Sequence, residues 1–191
     1  MVKKTFNQLL QSFKSININM LVAFCALFVS ACALYISVQE VRIMRTQQKA
    51  AMFPYLTVGK QYNAEGFGIR LENNGNGLAK VHSYQIYNDS IYFRDWFDVI
   101  ATYAPEAKNI NYNIMSTDGS LRNQIITPLE KVNLISLQWT AETRVLEQRL
   151  ADLKIKICYS SLLDEYWTLE EEAPVKINSP CPIQMEREFG L

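Results

Sequence analysis

Few side chains in this sequence are equipped for chemistry: one histidine, His82, four cysteines at 25, 32, 158 and 181, and scattered carboxylates. A Ser-His-Asp or Cys-His relay needs an imidazole to move the proton, so any such relay here must use His82. His82 sits in the strand-like LAKVHSYQIY with Lys80 and Tyr84 on its side, and nothing near it reads as a nucleophile elbow. The expectation is a structural histidine and no enzyme. Asp95 with Asp98, and Asp164 with Glu165, are the carboxylate pairs, each on a helix face or turn where solvated acids are ordinary. Gly75 and Gly77 precede a strand, which denies a phosphate the helix N-terminus that would hold it. With no C-x-x-C and a single histidine, neither a metal nor a cofactor is expected. Asn88-Asp89-Ser90 matches a glycosylation acceptor, and capping of a following helix explains the same residues.

The remaining chemistry is in sulfur and aromatic rings. Cys25 and Cys32 fall inside an apolar run and read as filler, whereas Cys158 and Cys181 fall in the domain beyond it. The latter two admit a disulfide or two free thiols, and spacing does not choose between them. Tyr92, Phe93, Trp96 and Phe97 form an aromatic run suited to a protein interface, with core packing the competing role.

The element that places everything else is the apolar run Leu21 to Val38, LVAFCALFVSACALYISV. Val29-Ser30-Ala31-Cys32 approaches a lipobox, and processing at Cys32 to a lipoprotein is one reading. A cleaved signal, however, changes character at the cut after about 7 to 15 apolar residues. Here Ala33-Leu34-Tyr35-Ile36-Ser37-Val38 continues the run, and Ser15 to Gln39 carries no charge, more than the roughly 20 residues a bilayer core requires. The reading is a retained single span at residues 18 to 38, after a basic tail at 1 to 17 and before a helical stalk at 39 to 54 that Pro54 ends. Ala23, Ala26, Ser30, Ala33 and Ser37 recur at spacings of 3, 4, 3 and 4, a face on which helix backbones approach closely. Lys3, Lys4 and Lys14 precede the span and Arg42, Arg45 and Lys49 follow it, so the positive-inside count ties. By analogy with signal anchors, the expectation is a cytoplasmic N-terminus and an exported domain.

Residues 55 to 191 form the domain, with thirteen basic residues against eighteen acidic ones; residues 1 to 54 hold six against the single Glu40. An acidic domain without a basic stripe lacks the footprint of nucleic-acid binding. Strand patterns occur at 55 to 62, 66 to 72, 78 to 87, 109 to 116, 121 to 127, 131 to 139, 153 to 161 and 165 to 171. Asn73 to Gly77 reads as the positive-φ connection of a hairpin joining the second of these to the third. Two helices interrupt the series, near 91 to 104 with Ser90 as cap and near 141 to 153 with Thr140 as cap. The segment after Glu172 reads as an irregular tail. The fold class is mainly β with two inserted helices: a transmembrane helix followed by an antiparallel immunoglobulin-like sandwich, with a small closed barrel as the alternative.

Gln47-Gln48-Lys49-Ala50 running into Phe53-Pro54-Tyr55-Leu56, the segment Asn74-Gly75-Asn76-Gly77-Leu78-Ala79 and the late CYSSLLDEYW together resemble a group of uncharacterised bacterial single-pass membrane proteins. Leu78 stands where that group has proline, and Ser160 or Ser161 where it has a second cysteine, a departure that bears on any local cysteine chemistry. The resemblance implies a protein of the bacterial inner membrane with an immunoglobulin-like domain outside the cytoplasm, and it brings no activity. The expected role is a non-catalytic interaction module whose partners are the lipid bilayer and a protein or a second copy. A ligand sensor signalling through its transmembrane helix, including a defence effector, is the alternative.

Overall fold

The computed structural model describes residues 18–89, 91–106, 114–117, 120–170 and 173–190, and the chain divides into two compact units between Gln48 and Lys49. Helix α1, Ile18–Ala51, runs 34 residues without a break, and none of its side chains is buried. It is long and apolar enough to cross a membrane. It passes through Cys32 and through the boundary drawn at residue 38, because nothing from Leu21 to Ala51 breaks a helix. Ser30 Oγ and Thr46 Oγ1 each donate to the carbonyl four residues back, at 2.8 and 3.0 Å, so neither hydroxyl interrupts the ladder.

The second unit is built on two sheets. The first holds β1 (Leu56–Tyr62), β2 (Gly66–Asn73), β7 (Lys131–Gln138) and β5 (Ile114–Thr117), in that order. The second runs β10 (Val175–Ile177), β9 (Tyr166–Leu169), β8 (Lys154–Ser160), β3 (Ala79–Asn88) and β4 (Ile91–Phe93), with the two-residue β6 (Ile125–Ile126) also on β3. Every pairing is antiparallel. Leu56, Phe67, Ile69, Leu71 and Leu137 of the first sheet share one buried cluster with Val81, Tyr84, Ile86, Ile157, Tyr159 and Trp167 of the second. The domain is therefore sandwich-like, and the closed barrel is overturned: the strands divide into two sheets, each with its own edges among the described residues.

Residues 66 to 87 do not form a hairpin. β2 belongs to the first sheet and β3 to the second, so Asn73 to Leu78 crosses between layers. Neither glycine in that crossing has a positive φ. They serve close approach instead: a Cβ on Gly75 would strike the Phe53 carbonyl and the Tyr55 amide, and one on Gly77 would strike the Met52 carbonyl. Asn73, fully buried, ties the crossing together. Its Nδ2 donates to the carbonyls of Gly77 (2.8 Å) and Ile126 (3.1 Å), and its Oδ1 accepts from the amides of Gly75 (3.1 Å) and Tyr55 (3.2 Å).

Other elements also depart from the sequence pattern. The helix expected near 91 to 104 begins only at Trp96 (α2, Trp96–Tyr103), because Ile91–Phe93 pairs with Ile86–Asn88 and the Asp95 carboxylate caps the helix by accepting from the Asp98 amide at 2.8 Å. Ser90 lies outside the described residues, as do Asp118, Gly119 and 109 to 113 of an expected strand. Helix α3 (Ala141–Arg149) starts at Thr140, which forms a capping box with Thr143, and tightens into a 3-10 turn at Leu150–Asp152. The stretch 121 to 127 contributes only the two residues of β6. The expected irregular tail instead holds β10 and a 3-10 turn, Met185–Arg187, before its last residues dock on β3.

Candidate interaction surface

The outer face of the second sheet carries a series of polar side-chain contacts. The β3 register slips between Val81 and Ser83 opposite β8, so His82 is an extra residue and both it and Ser83 turn outward. There the His82 Nε2 makes a 2.8 Å hydrogen bond with Ser160 Oγ, and its ring lies 5.8 Å from that of Tyr166. Partial burial, aided by Lys80, holds the imidazole below its ordinary pKa, while Asp164 opposes them. The neutral ring can accept the serine proton, but Ser160 is only 2% exposed, so a substrate has little access to its oxygen. No carboxylate hydrogen bond to the ring is present among the described residues.

Further along this face Glu170 accepts from Tyr87 Oη and, at 2.6 Å, from Lys156 Nζ. Lys156 and then Tyr87 hold its carboxyl below the usual range. Tyr87 stacks on Tyr92 at 5.3 Å, and the Arg187 guanidinium sits 4.8 Å from the Tyr92 ring centre. Cys158, outward on β8, is bonded to Cys181 with their Cα atoms 5.7 Å apart. That bond brings the tail onto the sheet.

The tail then fills a gap on β3. The free side of β3 is covered by β6 at Ala79 and Lys80 and by β4 at Ile86 to Asn88. Between them lies Glu188. Its carboxylate accepts from Ser83 Oγ (2.6 Å), the Tyr84 amide (2.9 Å) and Gln85 Nε2 (3.4 Å), and the residue is 3% exposed. The Phe189 amide donates to the Tyr84 carbonyl at 2.8 Å, and its ring meets Tyr84 and Trp96 edge-on at 5.2 and 5.3 Å. The Gly190 amide donates to the Arg94 carbonyl at 2.7 Å, with the glycine at φ 75°. No sequence pattern marked Glu188 or Phe189, because the residues they meet lie about a hundred positions earlier.

The aromatic run is divided by this arrangement. Phe93 and Trp96 are buried in the core, the competing role this run admits, since β4 and the Asp95 cap turn them inward. Tyr92 is half-buried beneath Arg187, and Phe97 stays 55% exposed. Cys25, Cys32 and the small-residue face Ala23, Ala26, Ser30, Ala33 and Ser37 are exposed on α1. Among the described residues no group of His, Cys, Asp or Glu is arranged to hold a metal.

A groove of about 1140 Å³ opens between the edge strand β1 and strands β8 to β10, with Val58, Ile69, Leu153, Ile155 and Leu169 among its apolar walls and Glu170 at its border. Lys60 of β1 also lines it, with its ammonium 3.3 Å from Glu147 of α3. A lysine at that position guards the edge against pairing with a foreign strand.

Comparison with protein-family models, curated proteins and solved structures returns no match.

Proposed function

We propose that this chain is a membrane-anchored interaction module of the bacterial envelope, with its domain outside the cytoplasm. The carrying observation is α1, an apolar helix with no buried residue that leads directly into a sandwich-like domain. Such a helix in water exposes far more contiguous apolar surface than a soluble monomer tolerates, whereas a bilayer covers it. The Cys158–Cys181 bond supports export, because structural disulfides persist in oxidising compartments. The continuity of α1 through Cys32 supports retention over lipoprotein processing.

The strand orders support an immunoglobulin-like reading. With β6 and β10 set aside, β1-β2-β7-β5 corresponds to A-B-E-D, and β9-β8-β3-β4 to G-F-C with an added edge strand. Tethering would raise the effective concentration of the domain for a partner in the same membrane.

The test is alkaline carbonate washing of membranes together with C-terminal fusions to reporters active on only one side. Intact chain in the pellet and activity of the extracytoplasmic reporter are expected. Release by carbonate overturns the anchor, and cytoplasmic reporter activity overturns the placement. A ligand-sensing role is a second reading favoured by one observation, the apolar groove beside β1. Filling it with Ile155→Trp would abolish saturable binding of an apolar fluorescent probe such as a naphthalene sulfonate; unchanged binding removes that reading.

A further inference from the structure

The docked tail enters its socket with three consecutive residues, Glu188, Phe189 and Gly190; before them Met185 meets Arg122 at 3.1 Å and Arg187 lies over the Tyr92 ring, both contacts at the exposed surface. All of the partners described for Glu188, Phe189 and Gly190 lie on β3, at Arg94 and at the start of α2. From Asn178 to Arg187 every residue except Cys181 is exposed. The socket therefore recognises the tail by a carboxylate, an aromatic ring and two backbone amides, and not by the chain path that delivers them. An identical tail from a neighbouring molecule offers the same groups.

The delivery segment suits exchange. From Ile177 to Glu188 it can extend to about 35 Å at roughly 3.3 Å per residue. Pro180 and Pro182 flank Cys181 and bias this part of the tether toward extended backbone. Single-pass chains in one membrane also meet at high effective concentration. One covalent bond, Cys158–Cys181, holds the tether to its own domain, and Ser83 is the register partner of Cys158, so the disulfide and the carboxylate socket are neighbours on one face.

We propose that the socket formed by Ser83, Tyr84, Gln85, Arg94 and Trp96 is an interaction site for a second copy of this chain, filled by the neighbour's Glu188–Gly190 in a tail-exchanged dimer. This rests on the reading of the chain as a membrane-tethered interaction module. Exchanging identical elements between protomers adds few new contacts and is a low-cost route to a dimer. In the covalent form, an added thiol such as reduced glutathione first opens one chain's disulfide, holding its Cys158 as a mixed disulfide and freeing its Cys181, whose thiolate attacks the Cys158 sulfur of its neighbour's disulfide. A new interchain S–S bond forms, the old one breaks, and the neighbour's Cys181 leaves as a thiolate. That thiolate then attacks the mixed disulfide on the first chain's Cys158 and expels the added thiol, so two disulfides break, two form, and neither oxidant nor reductant is consumed.

The test uses the full chain carrying Cys25→Ser and Cys32→Ser, so that the span contributes no crosslink. Chains with Cys158→Ser are mixed with chains with Cys181→Ser, in membranes and separately in detergent micelles. A buffer of reduced and oxidised glutathione equilibrates the thiols, the oxidised form accepting the two electrons of each new bond. After thiol blocking, a non-reducing gel is expected to show a heterodimer of twice the monomer mass that dithiothreitol collapses. Adding Phe189→Ala to the tail-donating chain is expected to lower its yield about tenfold or more, since an emptied aromatic socket loses most of its hold. Glu188→Gln, which keeps the shape, is expected to lower it less.

Absence of the heterodimer in both membranes and micelles overturns the proposal. So does a heterodimer whose yield is unaffected by both tail substitutions, because collision or helix contact would then suffice. The micelle arm does not depend on anchoring, so loss of the anchor in the carbonate test and failure of exchange are separate results.

Discussion

At the scale of single residues, His82 and Asn73 show how much depends on neighbours remote in sequence. The His82 imidazole is held below its ordinary pKa by burial first and by Lys80 second, with Asp164 pulling the other way. Its NMR titration midpoint is expected below about 6.5, to rise in Lys80→Ala and to fall in Asp164→Asn. Because the folded pKa lies below the unfolded one, the unfolded chain takes up this proton first. The stability contribution is complete above about pH 6.5 and is lost as pH falls from there through the folded value. Asn73→Ala leaves two carbonyls and two amides without their side-chain partner in a buried crossing. A loss of about 3 kcal/mol is expected in chemical denaturation. Gly77→Ala forces a methyl onto the Met52 carbonyl and is expected to cost about 2 kcal/mol or more, whereas Gly59→Ala, with nothing within 4 Å of its Cβ, is expected to change stability little.

At the scale of elements, caps and edges set the boundaries that apolar rhythm left open. Phe93, Trp96 and Ile100 keep helical spacing, yet the chain remains extended to Phe93 because it adds a strand to β3 and because Asp95 can start a helix only after itself. Asp95→Ala is expected to destabilise α2 by about 1 kcal/mol, and Thr140→Ala to do the same for α3, both measurable as shifts in the denaturation midpoint without change in its slope. Lys60 works at a sheet edge instead. Its ion pair with Glu147, which Tyr62 also engages by donating its hydroxyl at 2.7 Å, ties α3 beside the free edge of β1.

At the scale of the molecule, the Cys158–Cys181 bond, spanning 23 positions, ties the tail beyond β10 to β8. Reducing it, or replacing both cysteines by serine, is expected to lower stability by about 3 kcal/mol through the freedom restored to the unfolded chain. Hydrogen exchange at Ser83 to Gln85 should accelerate with it. Unchanged protection there would show that Glu188 and Phe189 hold the tail without help from the disulfide. The carbonate and reporter measurements belong to this scale too, because they ask where the whole chain sits.

The sequence by itself determined the apolar helix, most strands and the two helix-bearing segments, since periodicity and capping are local signals carried within a few residues. Thr140 is the clearest case: its cap and its partner Thr143 lie three positions apart. The tertiary structure alone decided which strands share a sheet, why Gly75 and Gly77 are glycines, and that the tail is docked. Each of those rests on groups far apart in the chain, such as Met52 against Gly77 or Glu188 against Ser83. An unbroken alternation of polar and apolar residues describes a strand equally well in either layer. Only the packing of one sheet on the other assigns it to one of them.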